Sequence, residues 1–260
     1  YETRLEKNGI FTMGDVARKS IENEEILYKL FGINAELLID HAWGYEPCTI
    51  ESIKKYRPST NSISSGQVLH CPYNYEKTML IIKEMAELLA LDLVEKKLVT
   101  NQIVLTIGYD VENVTNPLIN KENIKEITND RYGRKIPKPA HGTINLDYKT
   151  SSGKIIMEAA INLYKKIIDK NLLIRRINIT ANKVINESEV RKSEYEQIDL
   201  FKNYQEESKR KNKEKKEKRL QETMINIKNK YGKNAILKGM NLEEGGTTIE
   251  RNIQIGGHKG

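Results

Sequence analysis

The segment NQIVLTIGYDV (residues 101–111) decides the fold, because its side chains alternate in the two-residue period of a strand with one buried face. One set is apolar and predicts a core-facing row: Ile103, Leu105, Ile107 and Tyr109. The side chains of Gln102, Thr106 and Asp110 point the other way and are polar. This pattern is typical of a sheet that is covered on one face only.

Elements of alternating type flank this strand. Before it, YEKTMLIIKEMAELLALDL (75–93) carries an apolar stripe at helical spacing. After it, GTINLDYKT (142–150) predicts a strand, KIIMEAAINLYKKIID (154–169) a helix and LIRRINITANKVI (173–185) a last strand. A first strand that starts near Ser62 completes the order β-α-β-β-α-β. We therefore predict an α+β fold in which two helices cover one face of a four-stranded sheet.

The uncovered face of this sheet is predicted to be polar. Alternation places hydroxyl, amide and cationic side chains there: Thr106, Thr143, Asn145, Lys149, Arg176, Asn178 and Thr180. All of them can hydrogen-bond phosphate oxygens, and none is an aromatic ring of the kind that stacks on unpaired bases. Composition alone leaves two interpretations open, a solvated sheet face or a surface for the backbone of a nucleic-acid duplex.

The first 46 residues have a helical pattern instead. YETRLEKNGIFTMGDVAR (1–18) predicts a helix, a turn at Gly9 and a second helix capped near Thr12 or Asp15. NEEILYKLFGINAELLIDHAWGY (23–45) repeats this plan and stops at Gly44. Residues 47–66 have no helical or strand period and are rich in Pro, Ser, Thr and Asn, so they predict a linker.

The net charge of +7 is distributed unevenly along the chain. Residues 1–50 carry 5 basic and 9 acidic side chains, residues 51–190 carry 21 and 16, and residues 191–260 carry 17 and 11. A basic middle and tail favour a polyanionic partner, although solubility explains such a charge equally well.

Composition also disfavours several classes of protein. No apolar run approaches the ~18 residues of a membrane span, and the first residues form no secretion signal. Two cysteines make no disulfide framework, so we expect a cytoplasmic protein without a membrane partner. The spacing of Cys48 and Cys71 relative to His41 and His70 matches no zinc pattern, and no metal site is predicted.

Taken in order, these parts resemble the C-terminal portion of a Y-family translesion DNA polymerase of the UmuC-like branch. Residues 1–18 and LYKLFGINAELLIDHAWGYE (27–46) are similar to the thumb, and TNSISSGQ (60–67) is similar to the tether that opens the next domain. The β-α-β-β-α-β segment resembles the little finger, and IRRINI (174–179) stands in the place of its paired-arginine strand. KYGKNAILKGMNLEEGGTTIERNIQIGGHKG (230–260) resembles the C-terminal tail of that branch.

The resemblance implies a domain organisation and a partner. It implies a helix–hairpin–helix thumb at 1–50, a basic Ser/Pro tether at 51–66, a little finger at 62–190 and a tail at 191–260. Thumb and little finger are expected to hold double-stranded primer–template DNA by its backbone, independently of sequence. The implied DNA-binding residues are Gly9, Gly32, Asn34, Ser62, Ser64, Ser65, Thr106, Thr143, Asn145, Lys149, Arg175, Arg176, Asn178 and Thr180. Strand parity favours Arg176, because Arg175 shares the side of Ile177 unless the strand bends or begins there.

In this family the catalytic carboxylates that hold two Mg²⁺ ions belong to a palm that precedes the thumb. The chain begins inside the thumb without an initiator Met, so we expect a piece of a longer polymerase. We expect no catalytic residue and no cofactor in these 260 residues, with Mg²⁺ implied for the full-length enzyme. The expected role lies in DNA repair and SOS damage tolerance.

The pentapeptide QIDLF (197–201) stands within a strongly charged stretch and resembles the bacterial β sliding-clamp-binding motif. The implied clamp-binding residues are Gln197, Ile198, Asp199, Leu200 and Phe201. Leu200 and Phe201 would fill an apolar pocket of the clamp, and Gln197 would make polar contacts at its edge. The alternative is a tail segment that folds back on the little finger.

Other interpretations stay open for the chain and for its tail. The chain could be a protein-interaction module or an accessory DNA-binding module of a repair system without polymerase activity. The Lys-rich stretch 209–219 could be a solvated helix, a DNA-binding arm or a flexible spacer. Residues 212–232 predict a charged helix with Leu220, Met224, Ile227 and Tyr231 on one side, and the glycine-rich end is predicted to be irregular.

Overall fold

The computed structural model describes residues 1–56, 61–116, 124, 126–130, 133–193 and 204–254. The chain divides into two units, Tyr1–Ser59 and Thr60–Gly260. Each is described by itself below.

The first unit is helical, as its sequence predicts. Its helices are α1 (Glu2–Glu6), α2 (Met13–Phe31), α3 (Asn34–Ala42) and α4 (Ile50–Lys55). A small core forms around the buried side chains of Ile10, Val16, Leu27 and Ala35. The predicted start of α2 is correct, because Thr12 accepts a hydrogen bond from the Asp15 amide at 3.1 Å and Asp15 accepts one from the Thr12 amide at 2.8 Å.

Helix α2 is interrupted at Asn23, whose φ of −162° and ψ of 82° are not helical, so two helical segments lie where the sequence predicts two. One feature of this unit differs from the prediction. The predicted linker contains the short helix α4, which the Thr49 hydroxyl caps by accepting a hydrogen bond from the Ser52 amide. Six residues are too few for a period to emerge from the sequence, so α4 was missed.

The second unit has the predicted α+β architecture. Its main elements are β1 (Ile63–Tyr73), α5 (Tyr75–Glu95), β2 (Leu98–Tyr109), α6 (Glu112–Thr115), β3 (Ile127–Asn129), β4 (Lys135–Pro137), β5 (Ala140–Thr150), α7 (Gly153–Ile167), β6 (Ile174–Asn182) and β7 (Ile185–Asn186). The sheet has the order β1-β6-β2-β5 with antiparallel neighbours, and β7 pairs with β2. The sequence did not predict the hairpin β3–β4, which lies in the polar connection between β2 and β5.

Helices α5 and α7 cover one face of the sheet and form the core with it. The predicted inward rows are confirmed, since Ile103, Leu105 and Ile107 of β2 and Ile177 and Ile179 of β6 have no exposed surface. Burying one such side chain contributes about 1.5–3 kcal/mol to folding. These rows therefore fix which face of the sheet is left for other contacts.

The chain continues with α8 (Glu187–Ser193), α9 (Tyr204–Tyr231), a 3₁₀ turn (Gly239–Leu242) and α10 (Thr248–Ile253). Of these elements, α9 and the 3₁₀ turn pack on α5. The prediction of an irregular glycine-rich end (245–260) is wrong for residues 248–253, which form α10. The predicted apolar side of α9 is also partly wrong, because Met224 is buried but Leu220 and Tyr231 are 60% and 66% exposed. Polar anchors, described below, set the orientation of this helix. None of the helices in the described ranges is long and apolar enough to cross a membrane.

Candidate nucleic-acid interface

Rows of polar side chains cross the uncovered face of the sheet, because paired residues of antiparallel strands point to the same face. The rows are Asn182–Gln102–Asn145, then Ser64–Thr180–Val104–Thr143, and then Gly66–Asn178–Thr106–His141. The structure thus brings together Ser64, Thr106, Thr143, Asn145, Asn178 and Thr180, which were predicted from separate strands.

Hydrogen bonds join neighbouring side chains of these rows. The amide of Gln102 donates to the Asn145 side-chain oxygen at 2.8 Å, and Asn182 donates to Gln102 at 3.3 Å. The Ser64 hydroxyl donates to the Asn178 side-chain oxygen and accepts from the Thr180 hydroxyl, both at 2.9 Å. Side chains that are held in this way lose little further rotamer freedom when they bind a ligand.

Three residues of this face, Gln102, His141 and Asn182, were not among the predicted site residues. The His141 ring nitrogen Nδ1 lies 2.9 Å from the Thr106 hydroxyl, so it belongs to the same hydrogen-bonded surface. Alternation could have predicted all three, because residues an even number of positions apart on a strand point to the same face. Gln102 is related in this way to Thr106, Asn182 to Thr180 and His141 to Thr143.

A β-bulge places two adjacent arginines at one end of this face. Gly108 pairs with Arg176 but the next residue, Tyr109, pairs with Ile174, so Arg175 is an extra residue of β6. The condition that the parity argument set for Arg175, a bend of the strand at that position, is therefore met. Arg175 is half-buried, Arg176 is exposed, and both line a cleft of about 990 Å³ beside the β3–β4 hairpin.

Two neighbours constrain these arginines. The Asp110 carboxylate, in a residue only 6% exposed, accepts a hydrogen bond from the Glu112 amide at 2.8 Å and lies 3.8 Å from Arg175 Nε. It therefore directs the Arg175 guanidinium. Gly108 leaves room for Arg176, because a Cβ at that glycine would lie 3.1 Å from the Arg176 Cβ.

The remaining predicted residues of the second unit divide into two groups. Ser65 pairs with Ile179 and faces the helix side of the sheet, so it does not join the polar rows. Ser62 and Lys149 line a groove with Gln102, Asn182 and Lys183 at the opposite end of the face from the arginine pair. This groove gives the face a second cationic end.

The hairpin amides of the first unit are already engaged. Those of Asn8 and Ile10 donate to the Leu5 carbonyl at 2.9 and 3.1 Å, and that of Gly9 donates to the Glu6 carbonyl at 3.0 Å. A role for Gly9 in DNA binding stays a prediction.

The first turn of the following helix, α2, already contains a carboxylate, that of Asp15. Hydrogen bonds from the Thr12 side chain and from Arg18, together with backbone amides, lower the pKa of Asp15 to about 2. This carboxylate occupies the place at the helix start where a phosphate would bind.

In the second hairpin the Gly32 amide donates to the Tyr28 carbonyl at 2.8 Å, and Asn34 begins α3. Roles for Gly32 and Asn34 in DNA binding stay predictions.

The motif QIDLF (197–201) lies outside the described residues. Among those described, no group of three or more His, Cys, Asp or Glu side chains could hold a metal ion.

A family model for the impB/mucB/samB family C-terminal domain matches residues 60–200, more than half of the chain. The chain belongs to this family. Membership confirms the resemblance to the C-terminal portion of a UmuC-like Y-family polymerase and supports a DNA polymerase-related role in translesion synthesis and repair. The matched range of this impB/mucB/samB chain contains the whole sheet and both arginines.

Among solved structures, the chain is similar to a Y-family DNA polymerase chimera of Dbh and Dpo4, with 15% sequence identity and a TM-score of 0.38. The alignment covers 71% of the impB/mucB/samB chain and 44% of the chimera. No curated protein sequence matches the chain significantly.

Proposed function

We propose that this impB/mucB/samB chain binds duplex primer–template DNA through the uncovered sheet face, by contacts to the phosphate backbone. The observation that carries the proposal is the hydrogen-bonded polar surface of four strands that ends at Arg175 and Arg176. Hydroxyl, amide and guanidinium groups are the usual donors to phosphate oxygens in protein–DNA complexes.

The chemistry of this face favours a duplex over a single strand. None of the residues in its polar rows is Phe, Tyr or Trp, the rings that most often stack on unpaired bases. Its short polar side chains lie close to the sheet, so they can contact the phosphate backbone of a DNA duplex that lies across it. Contacts of this kind carry no base information, as a polymerase that accepts damaged templates requires.

The arginine pair supplies most of the charge at one end of this face. Guanidinium groups bind phosphate with two parallel hydrogen bonds, so adjacent arginines can hold two phosphates when both reach the same surface. The β-bulge at Arg175 permits this, because without it the two side chains would point to opposite faces.

Replacing Arg176 with Ala is expected to weaken binding of a duplex of unrelated sequence about tenfold, or about 1.5 kcal/mol. The slope of log K against log salt should fall by about 0.9, because one fewer counterion is released from the DNA. Fluorescence anisotropy over a salt series measures both quantities.

The matched control is Lys166→Ala, which removes an exposed cation from α7 on the other side of the sheet. Its slope should stay at the wild-type value. An Arg176 variant with wild-type affinity and slope would contradict the assignment of the uncovered face.

We further propose that QIDLF (197–201) recruits the β sliding clamp. The motif follows Ser193, the last residue of α8, and precedes Tyr204, the first residue of α9, so it lies in sequence between two helices of the domain. Its pattern of Gln, an aliphatic residue, an acidic residue and Leu-Phe supports the proposal.

Nucleotide transfer is assigned, as a proposal, to a palm outside these residues. Primer extension by the purified chain with Mg²⁺ and all four deoxynucleotides would contradict that assignment.

A further inference from the structure

Helix α9 directs both carboxylates of its Lys-rich part toward the domain. Residues 209–219 contain eight basic and two acidic residues. Both carboxylates face the domain, where Glu214 accepts a hydrogen bond from the Tyr148 hydroxyl at 2.5 Å and Glu217 accepts one from the Ser152 hydroxyl at 2.6 Å. Glu217 also accepts from the Lys154 amide at 2.9 Å, so it caps the first turn of α7.

Further contacts fix the orientation of α9 on the domain. The Arg210 guanidinium lies over the Tyr148 ring at 4.2 Å, Lys218 pairs with Glu187, and Met224 is buried. This part of the Lys-rich stretch is therefore a docked helix, and neither a flexible spacer nor a free arm. Its outward face has one defined position relative to the sheet.

That outward face carries a basic ridge, defined here as Lys215, Lys216 and Arg219, all three of which are exposed. Within the described part of the chain, none of the three has a carboxylate within 4.0 Å, because Glu214 and Glu217 are turned toward the domain. The exposed carboxylate that follows is Glu222, almost one turn beyond Arg219. Unpaired cations in a row on a fixed helix form a site for a polyanion.

The basic ridge adjoins the uncovered face of the sheet. Lys149 lines the groove that contains Ser62, Gln102 and Asn182, and it also lines a cavity of about 350 Å³ whose wall includes Lys215 and Lys218. The wall of this cavity also contains Glu214 and Glu187, and Glu187 pairs with Lys218, so Lys149 and Lys215 are the two cations that connect the end of the sheet face to the ridge.

We propose that the basic ridge is a second backbone-binding surface, which holds the flank of the duplex that lies on the uncovered face. The inference rests on the proposed DNA binding, and it assigns a further segment of the same duplex to α9. Continuity through Lys149 identifies DNA as the partner rather than an acidic protein, since one polyanion that follows the sheet reaches the ridge next.

The test is the triple variant Lys215→Gln, Lys216→Gln and Arg219→Gln in the full 260-residue chain. Its control is Lys165→Gln, Lys166→Gln and Lys170→Gln, which removes the same charge from exposed positions at and just beyond the end of α7. Anisotropy with a mixed-sequence duplex of about 30 base pairs is measured over a salt series. The ridge variant should lower the salt slope by about 2 to 3, since each lost phosphate contact removes about 0.9, and the control should lower it by less than 1.

Equal slopes for the ridge variant and the wild type would overturn the inference, and so would equal losses in ridge variant and control. The second result would show a net-charge effect only. If the proposed DNA binding itself is wrong, the result differs: the wild type binds the duplex weakly, and Arg176→Ala changes neither the affinity nor the salt slope. Circular dichroism of each variant should match the wild type, because all six positions are exposed.

Discussion

Replacing both Leu200 and Phe201 with Ala should abolish measurable binding to the β sliding clamp and leave duplex binding unchanged. Burying two such side chains contributes about 3–6 kcal/mol before the cost of ordering the peptide. A loss of only half of this contribution weakens the complex by more than about tenfold, and loss of most of it by more than about a hundredfold. The expected effect therefore falls on the clamp alone.

Calorimetry with the purified clamp, and anisotropy with duplex DNA, measure the two activities separately. Leu220→Ala is the matched control, because Leu220 is an exposed leucine of the same tail. That variant should bind the clamp as the wild type does. Joint loss of clamp and DNA binding in the double variant would instead indicate that QIDLF packs on the domain.

Replacing Glu84 with Ala should detach the tail from α5 and lower the stability of that contact by about 3 kcal/mol or more. Glu84 is 1% exposed, and its carboxylate accepts hydrogen bonds from the Asn241 side chain at 3.0 Å and the Thr247 amide at 2.9 Å. Removing the acceptor leaves the buried Thr247 amide without its partner and the Asn241 side chain with only its bond to the Thr248 hydroxyl, and an unsatisfied buried donor costs more than the bond itself contributes. The 3₁₀ turn and α10 both depend on this group.

Limited proteolysis measures this effect directly, because residues 232–254 should become sensitive in the Glu84 variant. Glu76→Ala is the control, since Glu76 is an exposed residue on the first turn of α5. Glu84→Gln should give an intermediate result, because it keeps one acceptor oxygen. A wild-type cleavage pattern for Glu84→Ala would show that other contacts hold the tail.

The sequence predicted the parts of the fold that depend on local period. Alternation in residues 101–111 and 173–185 identified the strands and their buried rows, and the cap at Thr12 identified the start of α2. These predictions were correct because both features have a fixed spacing in the sequence: two residues for a strand with one buried face, and three residues for the capping hydrogen bond.

The sequence failed where a contact joins distant residues or interrupts the period. The hydrogen bond between Ser152 and Glu217 orients α9, and the one between the Thr247 amide and Glu84 holds the start of α10. Both join residues that are far apart in sequence, so no local sequence pattern predicts them. The bulge at Arg175 adds one residue to β6 and reverses the parity argument at that position. Three residues of the polar face were recoverable by parity alone, but only the pairing of strands shows that they form rows with Ser64 and Thr180.

The hydrogen bonds of Glu217 to the first turn of α7 would also transmit force between α9 and the domain. The motif ends at Phe201, three residues before α9 begins at Tyr204, so a bound clamp would pull on this helix. The load would pass through Glu214 to Tyr148 on β5 and through Glu217 to the first turn of α7. Tension from a bound clamp would thus reach the sheet whose uncovered face we propose as the DNA-binding surface.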